Sequence, residues 1–215
     1  MNHFWKIPGC LFVIIIANAL TQNPLTEKRL LKMTLDEAEV CTDEDYVIFS
    51  AALSDRFGKQ NPDKVLLLDH TALAFPHGIV RYDPFGREAQ KSLKDVPIEV
   101  ANGFDNRNKS RATIEEYRIR TPFQTALLSD DTARKLVGGT GGWAAFYKNK
   151  ADIPGLTLVS LPGLNSDHTR ALLYVETSWC RYGGDGAFVS LTKDDGEWKV
   201  LSKTVTNFLG EEDCD

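Results

Sequence analysis

The chain predicts an α+β fold, with helices in its N-terminal part packed on a C-terminal antiparallel meander. Three observations lead there. Apolar residues recur at helical spacing behind capping-box patterns before residue 60. From Leu156 onward the pattern switches to an alternation of period two. The turn signal Asp194-Asp195-Gly196-Glu197 then joins the last two alternating runs as a hairpin.

Each element has a local reason. Thr34 to Glu37 and Thr42 to Asp45 both read as capping boxes. After the second, Tyr46, Phe49, Leu53 and Phe57 mark one face of a helix over 43–57, with acidic residues where the macrodipole favours them and Gly58 as its stop. "KVLLLD" (64–69) is a short apolar run that reads as a buried strand. Residues 70–95 carry Pro76, Gly78, Pro84 and Gly86 and read as a long surface excursion, its tail (86–95) a possible short helix. Pro97 suits the first turn of a helix in 97–108. "FQTALLSDD" (123–131) is a strand, then an N-cap at Ser129 or Asp130 for a helix to about Val137. "GGTGG" (138–142) ends it, and "WAAFYKNK" opens the next. Strands follow at about 156–161, 170–179, 186–193 and 197–206. The curved sheet is expected to pack on helices 43–57 and 143–150.

The N-terminus sets the expected compartment. Lys6 precedes the apolar stretch "GCLFVIIIANAL", and Ala17-Asn18-Ala19 is an A-x-A cleavage pattern. The run is shorter than the ~20 apolar residues a spanning helix needs. The expectation is a signal peptide, 1–19, cleaved after Ala19, and a single secreted or periplasmic domain, 20–215, with no stable membrane span after cleavage. The chain carries net charge −5, and cleavage would remove one basic residue and no acidic one. No basic stripe offers a nucleic-acid surface. The basic cluster Arg107, Lys109, Arg111, Arg118 and Arg120 is diluted by Glu115 and Glu116 and reads as a solvated face. Asn108-Lys109-Ser110 is a glycosylation sequon, relevant in a eukaryotic host.

Little in the chain reads as catalytic. "GGTGG" lacks the Lys of a phosphate loop and ends in Trp143, so a tight helix linker is the better reading. Ser160 lacks the G-x-S-x-G context of a nucleophile elbow. Trp143, Phe146 and Tyr147 share a helix face and read as core. Asp69, His70 and His77 are close in sequence, but their spacing matches no named metal site. They are the candidate residues for a hydrolase, with the 180–186 loop; as a structural pair, Asp69 and His70 would cap the strand end. No metal and no cofactor is expected. Cys180 in "WCRYGGDG" lacks the flanks of thiol proteases, and His168 lies a strand's length away, roughly 35 Å. Export instead permits disulfides. In the meander, Cys180 and the residues after 206 emerge at one end of the sheet, so Cys180–Cys214 is the expected disulfide, with Cys41 free; Cys41–Cys180 is the rival.

Residues 141–200, from "GGWAAFYKNK" to "DGEWKV", resemble a group of uncharacterised secreted or envelope bacterial proteins with a Trp-x-x-Phe-Tyr helix and a final Gly-x-Trp-Lys-Val strand, and "LLSDD" (127–131) fits too. The resemblance implies a domain type, not an activity. Such proteins often carry a second Cys just after the position of Cys180; here Tyr182, Gly183 and Gly184 stand there. The strand-rich end is also similar to cystatin-like and nuclear-transport-factor-like (NTF2-like) folds. The expected function is a non-catalytic module binding a protein or a small-molecule ligand. The alternatives are an envelope hydrolase using Asp69, His70 and His77, and an inhibitor or immunity protein for a secreted enzyme.

Overall fold

A computed structural model describes residues 39–72, 93, 95–139, 141–150, 152–180 and 183–207. All of them belong to one compact unit, Glu39–Asp215. The expected cleavage after Ala19, the residue His77 and the tail with Cys214 lie outside the described residues, as does most of the 70–95 excursion.

The fold is α+β: helices and one mixed sheet of seven strands. Helix α1 spans Asp43–Phe57. Thr42 caps it: its side chain accepts from Asp45 N–H, and the Asp45 side chain accepts from Thr42 N–H. Strand β1 is Lys64–Leu68, α2 is Ile98–Arg107, and a 3₁₀ turn occupies Glu116–Arg118. Strand β2 (Gln124–Leu128) leads into α3 (Asp130–Val137), capped by Ser129, and then α4 (Gly142–Asn149). Strands β3 (Leu156–Val159), β4 (Gly163–Leu164), β5 (Arg170–Ser178), β6 (Gly184–Asp194) and β7 (Glu197–Asn207) complete it. The strand order is β2-β1-β3-β5-β6-β7, with β4 also on β5.

The meander β5–β6–β7 is antiparallel, as expected. The sheet extends beyond it in a way the sequence reading did not foresee. Strand β1 pairs in parallel with β2 on one side and with β3 on the other. Short buried apolar runs carry no sign of their pairing direction, so the parallel half was invisible. The cystatin-like and NTF2-like arrangements are not confirmed.

Alternation along the strands sends residues to two cores. Leu173 and Val175 of β5, Val189 and Leu191 of β6, and Trp198 of β7 pack with Phe49 and Leu53 of α1. Leu172, Tyr174 and Phe188 point to the other face and meet Val100 and Phe104 of α2. The helix on this second face is therefore α2, whereas 143–150 was expected to share the sheet; α4 packs chiefly on α3. Its Trp143 and Tyr147 stack, Phe146 meets both rings edge-on, and Phe146 is buried. Gly163 explains why α2 lies so close. A Cβ there would sit 2.1 Å from Phe104 N and 2.4 Å from Val100 O.

The sequon has a structural use. Asn108 is 1% exposed. Its Nδ2 donates to Phe104 O (2.9 Å) and Leu161 O (2.8 Å), and its Oδ1 accepts from Leu161 N (2.8 Å). The side chain brackets the end of α2 to the chain between β3 and β4, so the folded domain does not present it for glycosylation.

Candidate functional site

Asp69 and His70 continue from the end of β1, where their backbone is held on two sides. Asp69 N donates to Leu128 O, Ile114 N donates to Asp69 O, and His70 bridges Thr113. The two side chains meet: His70 Nδ1 lies 2.9 Å from Asp69 Oδ1. On the other side of the ring, Arg111 Nη1 is 2.8 Å from Nε2 and also reaches Asp130 Oδ2 at 3.1 Å, with Asp130 Oδ1 3.4 Å from the ring. Because a guanidinium only donates, the Arg111 contact makes Nε2 an acceptor and leaves Nδ1–H to donate to Asp69. The imidazole is thus oriented like a general base, but Arg111 occupies its basic lone pair. The cavities along α1 and beyond its C-terminal end are lined by other residues. No metal-holding group of His, Cys, Asp or Glu occurs among the described residues.

The basic cluster is a solvated face only in part: Lys109, Arg111 and Arg120 are exposed, whereas Arg107 and Arg118 are half-buried. Arg107 forms two hydrogen bonds, of 2.7 and 2.8 Å, to the fully buried Asp45 and one to Pro162 O. Arg111 belongs to the His70 network, and Arg118 lies over the Tyr46 ring, 4.1 Å from its centroid. Arg120 alone of the arginines in the cluster is exposed without an ion pair among the described residues.

The cysteines divide. Cys41 is a free, buried thiol; burial first, and then Asp45, push it up to about 11, so nucleophilic thiolate is scarce. A free Cys41 removes the rival Cys41–Cys180 pairing. Cys180 is buried, and its N–H donates to Gly183 O. Ser160 is a buried strand-end serine whose hydroxyl donates to Leu161 O and accepts from Tyr174 N.

Sequence reasoning missed the largest cavity among these, a groove of about 920 Å³ along the outward side of α1. Its floor is Val47, Ala51 and Ser54 at helical spacing, Val47 exposed and Ala51 half-buried against the core. One bank is the 3₁₀ turn with Tyr117, Arg118 and Arg120; the other is the β6–β7 hairpin with Glu197 and Trp198. Both banks are fastened to α1. Tyr46 Oη accepts from Glu115 N (2.9 Å), Ser50 Oγ accepts from Arg120 N (2.8 Å), and Arg118 also pairs with Asp43. On the hairpin side, Glu44 accepts from Lys193 Nζ (2.9 Å) and Trp198 Nε1 (3.3 Å), and pairs with His168 at 2.5 Å. Burial pushes Glu44 up, but the His168 and Lys193 contacts outweigh it and hold the carboxyl below its usual value. Within this fixed frame Val47 is 52% and Tyr117 71% exposed. A Val on the outer face of α1 and a Tyr amid charges were the available signals.

Glu176 was also overlooked. It sits half-buried on β5 between Leu158 and Gly186, 3.4 Å from Tyr174 Oη and from Ser178 Oγ, and burial pushes its carboxyl up.

No family model matches the chain, and no curated protein or solved structure matches it. No helix among the described residues is long and apolar enough to cross a membrane.

Proposed function

We propose that this is an exported, non-catalytic domain that holds a segment of a partner protein in the groove along α1. One observation carries the reading: two banks, each hydrogen-bonded to α1, leave Val47 and Tyr117 exposed inside a concave surface. Large exposed apolar groups rimmed by polar ones are what interaction sites share. Anchored banks also lower the ordering cost of binding. Export rests on the N-terminal pattern ending at Ala19.

An unbiased displayed peptide library tests it. Peptides selected on the wild-type protein should lose at least about ten-fold in affinity on Val47→Arg, a change worth roughly 1.4 kcal/mol. If no selected peptide is sensitive to that substitution, the groove is not a binding site.

A hydrolase is the second reading, favoured by Asp69 and His70 converging with Arg111 and Asp130 at the carboxyl end of the parallel strands, where open α/β sheets place ligands. Hydrolysis of chromogenic esters that disappears in His70→Ala, in a protein of unchanged stability, would favour it. Activity unaffected by that change, or none at all, would count against it.

A further inference from the structure

The groove's shape and charge say what kind of segment it takes, an inference that rests on the protein-binding reading above. We infer that the occupant is a single amphipathic helix of a partner protein. Its apolar stripe lies on Val47 and Ala51, an acidic flank faces Arg120, and a basic flank faces Glu197.

The argument starts from concavity. The floor is one helix, and the banks rise on both of its sides. A concave surface is filled by a convex one, and two copies of the same groove placed face to face would leave a void between them. A helix is the convex element of matching kind, and helices pack against helices along apolar stripes at a spacing of three to four residues. The floor offers that spacing in Val47, Ala51 and Ser54.

Charge then orients the occupant. On the first bank Arg118 is already engaged by Asp43, Glu115 and the Tyr46 ring. Arg120 beside it is exposed and forms no ion pair among the described residues. On the opposite bank Glu197 is likewise exposed and forms no ion pair among them. The groove thus presents one cation and one anion outside any contact ion pair among the described residues, with Lys199 the cation that feels the charge of Glu197. A helix with an acidic edge and a basic edge satisfies both in one direction only, and like-charge juxtaposition rejects the reverse.

The experiment is a displayed library of helical peptides with randomised flanks. It is selected in parallel on the wild-type domain and on a charge-exchanged variant, Arg120→Glu with Glu197→Lys. Both altered positions are exposed, and circular dichroism with a denaturation curve confirms that the variant folds. The expected result is enrichment of peptides with opposite-sign flanks, helical when bound. Each peptide should lose at least about ten-fold in affinity on Val47→Arg and on Tyr117→Ala, and the order of its flank charges should reverse on the exchanged variant. Peptides that need Val47 but show no helical period, or whose flanks do not reverse, overturn the helix and leave the groove as a site. Absence of any Val47-dependent peptide overturns both. A concentration-dependent dimer abolished by Val47→Arg, seen in sedimentation, would make the occupant a second copy of the chain and overturn the inference as well.

Discussion

Single residues decide the joints of this fold. Asn108 satisfies two carbonyls and one N–H in a buried place. Asn108→Ala leaves the N–H and C=O of Leu161 unpaired, while Phe104 O keeps the backbone N–H of residue 108, and should cost about 3 kcal/mol, read from chemical denaturation. A loss under about 1 kcal/mol would mean that the bracket is dispensable. Glu44 acts through its charge. Its carboxyl is held below the usual 4.5 in the folded chain, so it binds protons less readily there than when unfolded. Its contribution is therefore complete above 4.5 and fades as pH falls through the folded value. Glu44→Gln should lower the denaturation midpoint at neutral pH and shrink the further loss on acidification. Parallel acid limbs for the two proteins would show that Glu44 is not the titrating group.

At the scale of elements, two contacts hold the helices to the sheet. Trp198 is 7% exposed within the core that faces α1, and Val200 packs beside it, the face that period two assigns. Trp198→Ala should cost about 3–5 kcal/mol, since it empties the core and removes the tie to Glu44. A midpoint shift equivalent to less than about 1 kcal/mol would contradict the packing. The α2 contact depends on an absent side chain. The atoms a Cβ at Gly163 would strike are backbone, so they cannot turn aside. Gly163→Ala should push α2 off Leu172 and Tyr174 and destabilise by about 1–3 kcal/mol or more. Hydrogen exchange should quicken in α2 before it does in α1; equal protection of both would argue against a local origin.

For the whole molecule, we propose a Cys180–Cys214 disulfide that fastens the acidic tail at one end of the sheet, after export and cleavage at Ala19. The free Cys41 supports this by leaving Cys180 and Cys214 as the pair in the mature chain. The chain-entropy contribution for a loop of this size is roughly 3–4 kcal/mol. Non-reducing peptide mapping of exported protein should find that linked pair and an unmodified Cys41. Three free thiols would end the proposal, and an intact mass that retains Met1 would end the export reading.

The sequence by itself determined the elements. The capping box at Thr42, the helical repeat through Phe57, the alternation after Leu156 and the Asp195-Gly196 turn are all local signals, and local hydrogen bonding and burial read them directly. Trp198's inward face and the Asp69–His70 candidates were legible for the same reason. The tertiary structure alone decided how these pieces meet. It placed β1 between two parallel neighbours, chose α2 for the second face, and buried a sequon whose partner Leu161 is 53 residues away. It also turned basic residues that looked solvated into ties for Asp45, His70 and Tyr46. The groove along α1 arose in the same way: Glu115, Arg120 and Trp198 come from distant parts of the chain, and only their hydrogen bonds to one helix raise the banks around Val47. A periodic pattern reports which side of an element is apolar; what covers that side depends on contacts between segments that no local spacing encodes.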